Sequence, residues 1–105
     1  MRRDVQRAIP IDGKIFVCPG RGAADVGIST HTLQTWVARG CTSYGLDLTV
    51  VHHGKHHLIA EFDLRVITEV NRKFPLLKGG PPERRRAEEM RRYATQVRAA
   101  LTRAP

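Results

Sequence analysis

The fold is decided by residues 22–40, which read GAADVGISTHTLQTWVARG. This stretch predicts two short helices joined by a tight turn. The first helix is expected to end just before Gly27, because glycine tolerates the positive φ that such a turn needs. Ser29 is a favourable N-cap for the second helix, and Gly40 is placed to end it. We therefore predict that the second helix spans residues 30–39.

The same stretch has the pattern of a helix-turn-helix, in which apolar side chains lock the second helix against the first. Ala23 is small enough for the point where the two helices touch, and Gly27 follows it by four residues. Leu33, Trp36 and Val37 recur at helical spacing and form one apolar stripe. We predict that Trp36 belongs to the core and does not stack on bases. The predicted core comprises Ala23, Val26, Ile28, Leu33, Trp36, Phe62 and Leu64.

The opposite face of the second helix is polar and is expected to point outward. A helix-turn-helix inserts such a face into the major groove of DNA, where hydrogen-bonding side chains read the edges of the bases. Four side chains of this kind share one face of the second helix, and a basic residue lies at its C-terminal end. The residues predicted to contact DNA are Thr30, His31, Gln34, Thr35 and Arg39.

A β-hairpin is predicted after this helix. Residues 46–51 and 56–60 are both β-prone, and they flank a short segment, residues 52–55, that contains a glycine. In a winged helix-turn-helix, such a hairpin reaches the adjacent minor groove or the phosphate backbone. The wing residues predicted to contact DNA are His52, His53, Lys55 and His56.

The histidine-rich segment of this hairpin, HHGKHH over residues 52–57, also permits a metal site. Imidazoles bind zinc or nickel, and adjacent strands bring several of them together. The alternative is that the hairpin tip needs hydrophilic side chains compatible with phosphate. We favour this second interpretation and predict no metal ion and no other cofactor. Cys18 and Cys41 lack the paired spacing of a zinc finger and are interpreted as small core residues.

Two segments flank the predicted DNA-binding domain, which spans residues 15–78. Residues 1–14 are polar and basic, contain a proline and a glycine, and are predicted to form a flexible arm. Residues 79–105 begin with a Gly/Pro linker and continue as an Arg-rich amphipathic helix. The basic residues predicted to contact the DNA backbone are Arg2, Arg3 and Arg21.

The predicted C-terminal helix, residues 83–103, has two interpretations. Its apolar residues keep helical spacing, and most of its arginines lie elsewhere on the helix. It is either a charged, solvated helix that packs on the domain, or its apolar stripe binds another protein. In the second case, the expected partners are an integrase or a second copy of the chain on DNA.

Composition restricts the classes of function. The chain has 105 residues, which is room for one domain with a tail, and its net charge is +8. A charge of this sign favours a polyanionic partner. No residue set for nucleophilic, acid–base or metal-assisted catalysis is recognisable, so we predict that the protein is not an enzyme. Two cysteines, without an apolar N-terminal or membrane-spanning run, predict a cytoplasmic protein whose thiols are reduced.

A longer pattern extends across the whole motif. AAxxGISxxTLxxWxxxG spans residues 23–40 and is followed by the hairpin and by FDL at residues 62–64. This pattern resembles the MerR-like winged helix-turn-helix superfamily, and within it the small excisionase-type proteins, which carry a tryptophan in the recognition helix. The resemblance covers residues 15–74 and departs from the pattern at residues 19–22 and at Asp25. It implies a small α+β winged helix-turn-helix, here with an added C-terminal amphipathic helix.

The resemblance also implies a role in site-specific recombination. Excisionase-type proteins bind adjacent DNA sites in several copies, bend the duplex, and direct an integrase of a phage or mobile element toward excision. The resemblance thus implies a protein of a bacterial host cell that is associated with the nucleoid. Three other functions stay open. They are a small MerR-like transcriptional regulator or phage repressor without an effector domain, a phage DNA-packaging subunit, and a protein–protein adaptor whose basic face is incidental. Double-stranded DNA is the expected partner in all but the last.

Overall fold

The computed structural model describes residues 8–54, 56–75 and 82–103, and it has the predicted α+β fold. The strands are β1 (Ile9–Ile11), β2 (Lys14–Val17), β3 (Val50–His53) and β4 (His56–Ala60). The helices are α1 (Pro19–Val26), α2 (Thr30–Arg39), α3 (Glu61–Lys73) and α4 (Arg84–Arg103). The strands form one antiparallel sheet in the order β1–β2–β4–β3.

The turn between α1 and α2 has the geometry that its sequence predicts. Gly27 ends α1 with a φ of 87°, and its N–H donates to the carbonyl of Ala23. Ser29 caps α2, because its side chain accepts a hydrogen bond from a backbone N–H of the first turn. Gly40 ends α2 with a φ of 79°. The bounds of α2 are therefore as predicted, whereas α1 begins earlier, at Pro19, because proline suits the first turn of a helix.

The main core lies between the helices and the sheet, and it contains the predicted core residues. Five of them are buried, namely Ala23, Val26, Leu33, Trp36 and Leu64. The other two, Ile28 and Phe62, are half-buried and pack against the same cluster. A second, smaller cluster of buried side chains lies on the sheet and consists of Phe16, Cys18, Leu58 and Ala60.

The N-terminal segment contains a strand, which corrects the prediction of a flexible arm over residues 1–14. Residues 9–11 form β1, and the chain returns into β2 through a two-residue turn at Asp12 and Gly13, both with positive φ. The two isoleucines of β1 pack against the second cluster, so burial holds this strand on the sheet. Residues 1–7 lie outside the described part of the chain.

The first strand of the predicted hairpin is shorter than its sequence suggests. Residues 46–51 are β-prone, but β3 begins only at Val50. Thr42 closes the preceding loop on itself, because its N–H donates to the carbonyl of Leu46 and its hydroxyl accepts from the N–H of Leu46. These bonds use the backbone groups of Leu46 that a neighbouring strand would otherwise pair with. The hairpin itself is present, since all four residues of β3 pair with β4.

A close contact between α1 and its neighbours occurs at Gly22. A Cβ atom added there would lie 2.9 Å from Cδ1 of Leu64 and 3.0 Å from Cδ2 of Leu33. Both leucines are buried, so neither side chain has free space to move into. The sequence analysis assigned the small contact residue to Ala23, and the structure shows that Gly22 is needed at the same contact.

We expect Gly22→Ala and Gly20→Ala to change stability in opposite directions, although both lie in α1. Overpacking a core costs about 1–3 kcal/mol, which exceeds the gain of up to about 1 kcal/mol from replacing glycine in a helix. Gly20 has no atom within 4 Å of the added Cβ, so its replacement is expected to stabilise by about 0.4–1 kcal/mol. Urea unfolding measures the free energy of unfolding of each variant relative to the parent protein. Equal changes in the two variants would contradict the close contact at Gly22.

The apolar face of α4 packs on the domain, which favours the first of the two interpretations of the C-terminal helix. Met90 and Ala94 are buried and belong to the main core, and α4 packs against α3. Val97 and Leu101 are half-buried against the same core. The stripe therefore packs mainly on the chain itself, and Val97 and Leu101 remain partly exposed. Because α4 shares this core, residues 84–103 belong to the same folded unit as the helices before them.

Candidate nucleic-acid interface

The five residues predicted for base recognition are all exposed on α2. Thr30, His31, Gln34 and Thr35 share one face, because residues three and four apart in a helix are neighbours on its surface. Arg39 lies in the last turn of the helix. The opposite face is fixed by the buried side chains of the core, so the polar face has a defined orientation relative to the rest of the domain.

Most of these side chains keep their hydrogen-bonding groups available. The Thr35 hydroxyl donates to the carbonyl of His31 at 2.9 Å, so it retains only acceptor capacity. The side chains of Thr30, Gln34 and Arg39 have no hydrogen-bond or ionic partner among the described residues, nor does the His31 imidazole. A set of exposed polar side chains that the fold itself does not use is suited to contacts with another molecule.

A shallow recess of about 250 Å³ joins α2 to the hairpin. It is lined by Pro19, Gln34, Val37, His56 and His57. The recess therefore brings a predicted recognition residue, Gln34, and a predicted wing residue, His56, to one continuous surface. His57, the last residue of the histidine-rich segment 52–57, belongs to the same surface.

The histidines of the hairpin face one another across its two strands. His52 pairs with His57, and His53 pairs with His56. The rings of His52 and His57 meet edge to face, with 4.3 Å between their centroids. The side chains of His52, His56 and His57 are exposed. Lys55 and the side chain of His53 lie outside the described part of the chain.

The structure gives no positive support to a metal site. Within the described residues, no group of three or more His, Cys, Asp or Glu side chains is placed to hold a metal ion. Cys18 is a buried free thiol in the second cluster, and Cys41 is a half-buried free thiol.

Only one of the three predicted backbone contacts lies within the described residues. Arg21 is exposed on α1, where it also takes part in an interaction within the chain. Arg2 and Arg3 belong to residues 1–7, which lie outside the described part.

A buried carboxylate that the sequence analysis missed anchors the base of the hairpin. Asp63, in the first turn of α3, accepts a hydrogen bond from the N–H of Thr49 at 2.6 Å, directly before β3. Its other carboxylate oxygen accepts from Nη2 of Arg98 on α4 at 2.7 Å. The same Arg98 nitrogen donates to the carbonyl of Asp47 at 3.0 Å. One side chain of α4 thus ties α3 to the loop that leads into the hairpin.

The sequence does contain a signal for this anchor. Asp63 lies four and seven residues before Ile67 and Val70, so it is an acidic residue on the apolar stripe of its helix. A charge at such a position needs a partner, because an unpaired buried charge is strongly unfavourable. The partner, Arg98, is 35 residues away in the sequence and belongs to a separate helix, so helical spacing does not identify it.

Comparisons with known proteins give no indication of the function of this chain. No family model, no curated protein and no solved structure matches the chain. Among the described residues, no helix combines the length and the apolar character that crossing a membrane requires.

Proposed function

We propose that the protein is a sequence-specific, double-stranded DNA-binding protein of the winged helix-turn-helix type. In this proposal α1 and α2 are the helix-turn-helix, and the β3–β4 hairpin is the wing. The observation that carries the proposal is the exposed polar face of α2, where four adjacent side chains able to hydrogen-bond protrude and three of them have no partner among the described residues. A basic chain of this size with such a face fits duplex DNA better than an apolar partner.

In the proposed mechanism, the helix and the hairpin contact different parts of the duplex. α2 enters the major groove, where Gln34 is suited to bidentate contact with adenine and His31 to contact with a base edge or phosphate. The exposed hairpin histidines contact the phosphate backbone beside that groove, which fixes the register of the protein on the duplex. Asp63 and Arg98 hold the base of the hairpin, so they set its position relative to α2.

The proposed role is that of an excisionase-type architectural factor. Its copies bind adjacent DNA sites, bend the duplex and direct integrase-mediated recombination. This part of the proposal is supported by the sequence pattern over residues 23–40 and by the hairpin that follows it. Because the apolar face of α4 packs mainly on the chain itself, an integrase would mainly contact another surface of the chain.

We expect Gln34→Ala and His31→Ala to reduce discrimination between target and random DNA. Removing one base contact should cost about 1–3 kcal/mol, or roughly a five- to 150-fold loss of preference for the target. A target is first obtained by selection from a pool of randomised duplexes. Affinities for that target and for the unselected pool are then measured by electrophoretic mobility shift.

Gln96→Ala is the matched control, because Gln96 is also an exposed glutamine on a helix but lies on α4. Its preference for the target should equal that of the parent protein. If the α2 variants also retain the full preference while remaining folded, α2 is not the recognition helix and the proposal fails.

A further inference from the structure

The positive charge of the chain is concentrated on α4 and not on the proposed recognition unit. Residues 84–103 carry seven arginines and two glutamates, so they supply five of the eight net positive charges. Residues 15–75 carry six basic and five acidic residues, so their net charge is only +1. The electrostatic attraction that a DNA-binding protein needs is therefore concentrated on its last helix.

The charge on α4 is uneven along the helix. In the first turns, Arg84 lies within ion-pair distance of Glu88, and Arg85 within that of Glu89. No acidic residue follows Glu89 in the sequence. Glu88 and Glu89 also precede Arg91 and Arg92 by two to four residues, but both glutamates are engaged by Arg84 and Arg85, and from Met90 onward α4 carries only positive charge.

Three arginines in this second part of α4 have no partner among the residues that the structure describes. Arg98 is engaged by the buried Asp63. Arg91, Arg92 and Arg103 are exposed and have no hydrogen-bond or ionic partner among the described residues. Because the apolar face of α4 is packed on the core, these three guanidinium groups are the unpaired charges that this part of the helix exposes to solvent.

We propose that Arg91, Arg92 and Arg103 form a second, sequence-independent contact surface for the phosphate backbone of the duplex that α2 reads. This inference rests on the proposed function. The guanidinium group suits phosphate because its N–H groups donate in a fixed planar arrangement. Along the helix axis, Arg92 and Arg103 are about 17 Å apart, at about 1.5 Å per residue. That separation corresponds to roughly five base pairs along the duplex at about 3.4 Å each.

The position of α4 favours the same duplex over a second one. Arg91 lies against Gly45, since a Cβ atom added at Gly45 would be 3.3 Å from an Nη atom of Arg91. Gly45 is in the loop that directly follows α2 and its last basic residue, Arg39. Arg91 therefore lies beside the loop that follows the proposed recognition helix, and we infer that the backbone of the bound duplex continues from there along α4.

The surface chemistry also favours DNA over an acidic protein. Stable protein interfaces depend on a few large apolar or aromatic anchors at their centre. Among the described residues, the only exposed large hydrophobic side chain is Ile15, which lies on β2. The outward face of α4 thus offers charge without an apolar anchor, which fits a phosphate backbone.

The test compares Arg91→Gln/Arg92→Gln with Arg65→Gln/Arg72→Gln, which removes the same net charge from exposed positions on α3. For the α4 variant we expect weaker binding to target and random duplexes by the same factor. The slope of log affinity against log salt should fall by about 0.9 for each phosphate that no longer has an arginine beside it, or about two in total. The α3 variant should keep the slope of the parent protein.

The possible outcomes separate this inference from the proposed function. If the α4 variant keeps the parent slope while the parent prefers its target, α4 does not contact DNA and the inference is wrong. If binding of a second, labelled duplex to the protein–target complex depends on Arg91 and Arg92, the same-duplex assignment is wrong. If the parent protein binds no duplex above background, the proposed function itself fails.

Discussion

Trp36→Ala is expected to unfold the domain or to leave it only marginally stable. Trp36 is 3% exposed and belongs to the main core, and its ring meets that of Tyr44 edge to face with 6.0 Å between the centroids. Truncating a buried aromatic side chain costs about 3–5 kcal/mol. The total free energy of unfolding of a domain of this size is only about 5–15 kcal/mol. The expected loss is thus a large part of the stability that holds α2 in place.

The measurement is the free energy of unfolding in urea, with Trp36→Phe as the control. Phenylalanine keeps an aromatic ring in the core. The free energy of unfolding should therefore fall clearly less in Trp36→Phe than in Trp36→Ala. An alanine variant as stable as the parent protein would show that Trp36 is not a core residue. In that case the side chain would be free to contact DNA, contrary to its position in the structure.

Arg98→Met is expected to destabilise the protein by about 3 kcal/mol, although it removes a partly exposed side chain. The Asp63 side chain is 3% exposed and that of Arg98 is 36% exposed. Removing one partner of a buried ion pair costs about 3–5 kcal/mol, because the remaining charge stays buried without compensation. The lower end of this range applies here, since Arg98 retains contact with solvent.

A double variant distinguishes the ion pair from simple loss of side-chain packing. Asparagine at position 63 still accepts the hydrogen bond from the N–H of Thr49 but carries no charge. Asp63→Asn in the Arg98→Met background should therefore recover most of the lost stability. Arg92→Met, on the exposed face of the same helix, should change stability by less than about 0.5 kcal/mol. Additive losses from the two substitutions would contradict the pairing.

Both ends of α2 and the last residue of α1 could be predicted from the sequence, because they depend on local residues. Ser29 and Gly40 fix the two ends of α2 through hydrogen bonds within one turn of the chain. The packing of Leu33 and Trp36 follows from helical spacing alone. The polar face of α2 follows from the same spacing, so the proposed recognition residues were already visible in the sequence.

The remaining features depend on contacts between distant segments, which local patterns do not reveal. β1 is held by pairing with β2 and by burial against the sheet. Gly22 is required because the side chain of Leu64, on another helix, occupies the space that a Cβ atom would need. Asp63 and Arg98 meet only after α4 has packed on α3. Each of these features requires the tertiary arrangement to be known first.

The central claim is that α2 and its hairpin read a specific DNA sequence, and selection from randomised duplexes tests it most directly. The account predicts that one motif becomes enriched and that the protein binds it at physiological salt at least about 1,000-fold more tightly than the unselected pool. It also predicts that this preference is reduced in Gln34→Ala. Equal affinity for selected and unselected duplexes, or no binding to either, would contradict the account.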